Sequence, residues 1–392
     1  MSMDFKFTEE QEKFRQEVRD FLEGELRQGN FTPSVDAWIQ GFSPEFTKKV
    51  AQRGWIGLTW PKEYGGQGRS HVDRFILTEE MLRYGAPAAL HWFQDRQIGG
   101  SIITYGTEEQ KRELLPQILR GEAVVGLGMS EPEAGSDLAS LQTRAVEDGD
   151  DYIIDGQKMW TSCAGFMTHV YLVARTDPDA PKHRGISEFV IDANLPGITI
   201  SPTIDITGTE AWGEVFYDGV RVSKKYLIGE KNRGFYQILG QLDYERAGLE
   251  RIMGNYPLFD AIIQFTRESR RNGEPLAKEA LIRHKLAQLQ IEFEVGRLLT
   301  YRVFMVIEEG RAPNVEAAMA KAYCTDFEQH LANTAMEILG LYGQLVAGSK
   351  LVPILGMAPH SYLGSKGYSL QAGTSEILRS IVAMRGLGLP RE

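Results

Sequence analysis

Between Leu127 and Ala164 the chain gathers residue types that can hold a planar, partly anionic ligand. The run Leu127-Gly128-Met129-Ser130-Glu131-Pro132-Glu133-Ala134-Gly135-Ser136-Asp137 is too interrupted by Gly and Pro for regular structure. It offers backbone N–H groups, hydroxyls and a glycine that lets a ligand approach the main chain closely. Downstream, the alternating run Tyr152-Ile153-Ile154-Asp155-Gly156 leads into Gln157-Lys158-Met159-Trp160-Thr161-Ser162-Cys163-Ala164, which sets an indole and a hydroxyl at an expected strand end. A flat aromatic face beside a small donor suits one face and one edge of a planar heterocycle. From the residues alone a plainer reading, a Gly-rich loop near a core Trp, stands beside this one, because short motifs recur by chance.

Their order and separation are more specific. Met-Ser-Glu-Pro-x-Ala-Gly-Ser-Asp, ending at Asp137, followed by Gly-x-Lys-x-Trp-x-Ser, ending at Ser162, resembles the flavin-binding signature of the acyl-CoA dehydrogenase family. The likeness extends along the chain through Trp60-Pro61-Lys62-Glu63-Tyr64-Gly65-Gly66, Tyr105-Gly106-Thr107-Glu108-Glu109-Gln110-Lys111 and Gln371-Ala372-Gly373-Thr374-Ser375-Glu376-Ile377. The resemblance implies bound FAD and an enzyme that takes two hydrogens from the α and β carbons of an acyl-CoA thioester, a proton to a base and a hydride to flavin N5. It implies flavin or phosphate contacts from Met129, Ser130, Gly135 and Ser136, with Ser136 also near the substrate. Trp160 matches the stacking indole and Ser162 the hydroxyl that donates to N5, with Thr161 as the alternative donor. Thr374 and Glu376 match further cofactor contacts. The family's Arg-x-x-Phe-Gly, which reaches the FAD of a neighbouring subunit, is replaced by Ser269-Arg270-Arg271-Asn272-Gly273, leaving Arg270 and Arg271 as candidates.

Thioester α-protons are weak acids, so their removal needs a carboxylate strengthened by desolvation. In the commonest family pattern that Glu immediately precedes Gly-Thr-Ser. Here Ala372 stands in its place, and alanine cannot take a proton. A minority of the family, including isovaleryl- and long-chain-type enzymes, carries the base on an earlier helix in a Leu-x-x-Glu-Arg pattern, and this chain has Leu242-Asp243-Tyr244-Glu245-Arg246. The resemblance therefore makes Glu245 the base, places Arg246 near CoA and the catalytic region, and makes Asp243 a candidate partner of the pantetheine amide. Helical spacing sets Glu245 on one face with Gln241, Leu242, Gly248 and Leu249. The competing reading is a surface carboxylate, the usual fate of Glu. Ala372 and Gly373 fall at the substrate end of their motif. Asp95, in Trp92-Phe93-Gln94-Asp95-Arg96, is a candidate second acid–base group; a salt bridge to Arg96 or a neighbouring helix is the reading that takes precedence. His91 is expected to be structural, and no His/Cys/carboxylate cluster has metal-ligand spacing.

Composition and element order set the frame for these residues. The chain has 392 residues, a net charge of −10 and no block of like charge, which argues against a nucleic-acid partner. Its two cysteines, Cys163 and Cys324, are expected as reduced thiols of a cytoplasmic protein. No run of about 18 apolar residues signals a membrane span. Residues 1–121 read as a helical domain, opening with a capping box at Thr8–Gln11 ahead of Phe14, Val18, Phe21 and Leu22. Residues 122–230 switch to short β-rich runs, predicting a small barrel or sandwich with a surface loop over 177–185. Residues 231–392 return to helix. Leu286, Leu289, Phe293, Gly296, Thr300, Val303 and Ile307 form a packing stripe ending before Gly310, and a second long helix is expected from Asn314 to Gly340. The α–β–α order agrees with the family's helical domain, β domain and C-terminal four-helix bundle.

Function is thus expected to be FAD-dependent α,β-dehydrogenation of an acyl-CoA, on a branched, alicyclic or otherwise bulky group. Electrons would pass to an electron-transfer flavoprotein or another acceptor. The resemblance implies a homotetramer. The alternative is one subunit of a heteromer, or a degenerate member. A nitroalkane oxidase on the same fold would need an Asp where Ala372 stands.

Overall fold

The structure is a computed structural model that describes residues 5–245 and 249–390, without the side chains of 241–245. Its helix and strand order is helical, then β, then helical, the acyl-CoA dehydrogenase-type arrangement expected above. By packing it divides into two compact units, one of Met1–Trp38, Ser70–Pro87 and Arg246–Glu392, the other of Ile39–Arg69 and Ala88–Glu245.

In the first unit the helices are α1 (Glu9–Arg27), α2 (His71–Arg83), α3 (Leu249–Met253), α4 (Tyr256–Glu268), α5 (Ala280–Glu308), α6 (Asn314–Leu339), α7 (Met357–Tyr368) and α8 (Ser375–Ile381). The Thr8 hydroxyl accepts from Gln11 N and the Gln11 side chain returns to Thr8 N, so the capping box starts α1 as its sequence requires. Val18 and Leu22 are fully buried against this unit's core. The stripe on α5 is real: Leu289, Phe293, Gly296, Thr300 and Val303 are buried, with Leu286 and Ile307 half-buried at its ends. Gly296 is there because a Cβ would come within 2.7 Å of Ile252 Cδ1 and 3.4 Å of Cys324 Sγ, where α3 and α6 press on α5. Helix α6 runs over the expected span and Gly340, at φ 59°, ends it. Polar groups are also buried here. Arg15 Nη1 donates to Glu79 Oε2 and Glu80 Oε1, each at 2.5 Å, tying α1 to α2, and Arg297 on α5 donates to Glu79 as well.

The second unit is built on eight strands, β1 (Val125–Gly128), β2 (Arg144–Asp148), β3 (Asp151–Ser162), β4 (His169–Arg175), β5 (Ile186–Asp192), β6 (Ile198–Thr203), β7 (Trp212–Ser223) and β8 (Leu227–Ile228). They lie in the order β6-β7-β3-β2-β4-β5-β8, with β1 paired parallel to β4. Leu127 and Gly128 thus belong to a strand, which corrects the expectation that the whole Leu127–Asp137 run is irregular; pairing with His169–Leu172 overrides the glycines. One face is sealed by Ile154, Val170, Leu172, Phe189, Val215 and Val220. The other packs Val173 and Ile186 against Ile238 of the helix Gly234–Glu245. Every residue from Val170 to Ala174 is buried, so β4 reads as a continuous apolar run rather than an alternation. Both cysteines are buried free thiols. Among the described residues no helix is long and apolar enough to cross a membrane.

Candidate active site

The two halves of the first motif meet in the second unit. Met159 N donates to Ser130 O at 2.9 Å, so the Gly-rich loop lies directly along β3. Beneath this contact sits Lys158, with no solvent exposure, its Nζ 2.9 Å from Met129 O and 2.7 Å from Glu131 Oε1. Glu131 also accepts from Gln142 N at 2.6 Å and Thr143 N at 2.9 Å. Burial pulls the Lys158 ammonium down to about 8, with the Glu131 carboxylate opposing. Burial works to raise Glu131, but Lys158 and these N–H donors together hold its carboxyl below the ordinary value. Lys158 and Glu131 were not among the residues assigned a role from sequence, although both lie inside the quoted motifs. They are the joint between them.

Above the joint, Trp160 breaks β3. Its φ is 59°, pairing with β7 shifts register between Lys158 and Thr161, and the indole is 51 % exposed, edge-on to Trp212 at 6.4 Å. A bulge of this kind re-aims one side chain out of the sheet. Thr161 is buried under β1, its Cγ2 2.9 Å from where a Cβ on Gly126 would stand, and its Oγ1 lacks a partner. Met129 and Ser130 are half-buried, Ser162 is buried near the bulge, and Gly135 and Ser136 are exposed. No hydrogen bond to the hydroxyl of Ser130, Ser136 or Ser162 forms among the described residues. An uncovered indole, uncommitted hydroxyls and a backbone loop form a donor set and a flat face that fit an isoalloxazine.

Asp95 lies in a π-helical turn, Gln94–Ile98, and its Oδ1 accepts from Gly57 N at 2.9 Å while its carbonyl accepts from Trp60 Nε1. Its carboxylate braces the Gly57–Trp60 bend through a main-chain N–H, where a salt bridge to Arg96 or a neighbouring helix was expected. His91 is fully buried, 3.1 Å from Thr47 Oγ1, and burial lowers it to about 4, which keeps it neutral.

In the first unit, Ala372 has φ 53° and Gly373 φ 97°, a left-handed turn just before α8. Thr374 caps that helix through Ile377 N at 3.3 Å, and Glu376 lies exposed in its first turn. Arg270 and Arg271 form one arm of a two-residue hairpin closed by Asn272 and Gly273, both at positive φ. Arg270 donates to Gly273 O at 3.0 Å and Arg271 to Glu279 at 2.9 Å. The Asn-Gly pair is the strongest short hairpin signal in a sequence, and it accounts for the turn. Glu245 closes the helix Gly234–Glu245. Its side chain, that of Asp243, and all of Arg246 lie outside the described residues.

Comparison with known proteins agrees with this geometry. Three family descriptions match in succession: acyl-CoA dehydrogenase N-terminal domain over residues 8–122, middle domain over 126–220 and C-terminal domain over 232–387. Acyl-CoA dehydrogenase FadE26 of Mycobacterium tuberculosis is 33 % identical, with 99 % of each chain covered. Among solved structures, the Tcur3481-Tcur3483 steroid ACAD superposes with a TM-score of 0.90 at 33 % identity over 100 % of both chains. The ChsE4-ChsE5 complex of Mycobacterium tuberculosis superposes at 0.86 with 32 % identity, again over 100 % of both. The chain belongs to the acyl-CoA dehydrogenase family, FAD-dependent oxidoreductases that act on CH–CH groups.

Proposed function

We propose that this chain dehydrogenates a branched, alicyclic or otherwise bulky acyl-CoA to its 2-enoyl-CoA, with Glu245 as the base that takes the α-proton. Bound FAD supplies the acceptor for the β-hydride. Ser162 would donate to the cofactor and Trp160 would offer it a flat face, with Met129, Ser130, Gly135 and Ser136 of the loop adding contacts. Thr374 and Glu376 complete the cofactor contacts, while Asp243, Arg246, Ala372 and Gly373 border the thioester. The observation that carries this reading is Ala372. It puts a methyl group, in a left-handed turn, where a carboxylate would otherwise serve, so the base must come from elsewhere in the chain. The same methyl leaves room for a branch or ring, and similarity to a structure described as a steroid ACAD supports a bulky substrate. An electron-transfer flavoprotein or a comparable acceptor in the cytoplasm would take up the electrons.

The test is Glu245→Gln. It should keep FAD and acyl-CoA binding yet slow flavin reduction by about 10²–10⁴-fold, the contribution of a positioned base. Adding Ala372→Glu should restore part of the rate, better for straight-chain than for ring substrates. Near-normal reduction in Glu245→Gln would move the base elsewhere, with Asp95 the next candidate.

A homotetramer is the first reading of assembly, and one observation favours a second. Arg270 and Arg271 are bonded within their own hairpin and at Glu279, and the family's Arg-x-x-Phe-Gly is absent there. Two of the similar structures are also described as pairs of gene products. Light scattering and flavin content of the pure chain separate the cases: a flavin-loaded, active homo-oligomer supports the first, and a flavin-poor chain inactive with a ferricenium-type acceptor supports a heteromer.

A further inference from the structure

We propose that two buried cations, Arg251 and Lys321, are positioning residues for the reaction: from beneath, they set the shape of the Gln371–Gly373 turn. The inference rests on the reading that this turn borders the acyl group.

The loop between α7 and α8 is short and closed at its neck. Ser375 N donates to Ser369 O at 3.0 Å, and Gln371 N to Gly367 O at 3.1 Å. Lys321, on α6 and 1 % exposed, spans that neck: its Nζ lies 2.9 Å from Tyr368 O and 2.9 Å from Gly373 O. One ammonium thereby joins the last residue of α7 to the second left-handed residue of the turn. On the other side, the Gln371 amide, with its oxygen facing inward, accepts from Arg251 Nη1 at 2.7 Å and Nη2 at 3.1 Å. Arg251 cannot swing away. It is 2 % exposed and its guanidinium lies 4.4 Å from the Trp38 ring and 4.8 Å from the Tyr368 ring. Ala372 thus sits between two residues that are each tied to a buried charge, which is how an alanine is held in a conformation that disfavours a Cβ.

The other polar groups of this core bond one another: Asn255 donates to Glu328 at 2.8 Å and accepts from Ser361 at 2.9 Å, and Glu250 lies 3.9 Å from Arg251. Arg251 and Lys321 instead extend the network to the main chain and amide of the turn. Reacting groups must be held to within a fraction of an ångström, and a shift of about 1 Å can cost on the order of a hundredfold in rate.

The experiment uses the FAD-loaded assembly with octanoyl-CoA and cyclohexanecarboxyl-CoA as probes. Lys321→Met should accelerate amide exchange over residues 369–376, leave FAD content intact, and lower the flavin reduction rate by about tenfold to a hundredfold with KM changed by less than about threefold. Gln371→Leu, which cuts the Arg251 link without touching either cation, should do the same more weakly. Gln371→Glu should retain the rate, because a carboxylate accepts the same guanidinium fork. The Gln371 pair decides the matter if Lys321→Met does not fold. Unchanged exchange in the turn, or an unchanged reduction rate accompanied only by lower thermal stability, overturns the inference. Ala372→Leu tests the underlying reading separately. It should shift selectivity between the two probes, and no shift would mean that the turn does not border the acyl group, sinking reading and inference together. A shift in Ala372→Leu with a normal rate in Lys321→Met sinks the inference alone.

Discussion

The Trp160 bulge and the Ala372 turn, in different units, are built alike and supported differently. Each places a non-glycine residue at positive φ, 59° and 53°, and each rests on a buried lysine that donates to main-chain carbonyls. At the bulge the counter-charge is local: Glu131 belongs to the same loop whose carbonyl Lys158 holds, 2.7 Å from its Nζ. At the turn the cations come from α3 and α6, and the neighbouring acid Glu328 is pushed well above the ordinary carboxylate range, by burial first and by Asp36 and Glu250 against the opposing pull of Arg251 and Lys321. The first support is an ion pair, and the second is a cationic clamp beside an acid whose burial favours its neutral form. A left-handed residue can therefore be fixed by either route. A buried, ionised pair fails when one partner is removed, while a clamp onto carbonyls fails by losing shape.

The largest expected effect tests the ion pair. Lys158→Met leaves Glu131 ionised and buried, and should cost about 3–5 kcal/mol of stability along with the bound flavin. Denaturant titration with flavin absorbance measures both. A companion Glu131→Leu in the same chain should recover part of the loss, and no recovery would mean that the lysine acts through Met129 O rather than through its charge.

The next effect separates the two supports by pH. Glu131 has a folded pKa below its ordinary value, so its contribution is present above that value and is lost as pH falls through the folded pKa. Glu328 has a folded pKa raised from 4.5, so its contribution is complete below 4.5 and is lost as pH rises toward the folded value. Acid should weaken the bulge, and a rise in pH above 4.5 should weaken the clamp. Glu328→Gln should flatten the decline in melting temperature as pH rises above 4.5, by a few degrees. An unaltered decline would place the proton on another group.

The smallest effect concerns the turn backbone. Ala372→Gly removes the Cβ penalty at φ 53° but adds freedom to the unfolded chain, for a net gain of about 0.5 kcal/mol. A loss above about 1 kcal/mol would show that the methyl packs against something that the conformational argument omits.

Much was legible in the chain itself, wherever the determining interactions are local. The capping box at Thr8, the α5 stripe, the stop at Gly340 and the order of helix and strand all follow from residues within a turn or two of one another. The flavin motif was legible for the same reason, since its loop and its strand end are close in sequence. Tertiary structure decided the remainder. Pairing with β4 made a strand of Val125–Gly128 despite two glycines. Arg251 lies 120 positions from Gln371 and Lys321 lies 52 from Gly373, so no spacing rule could join them. Local periodicity sets which elements form, because neighbours along the chain share those hydrogen bonds and faces. Which buried charge holds which turn depends on segments brought together only when the core closes.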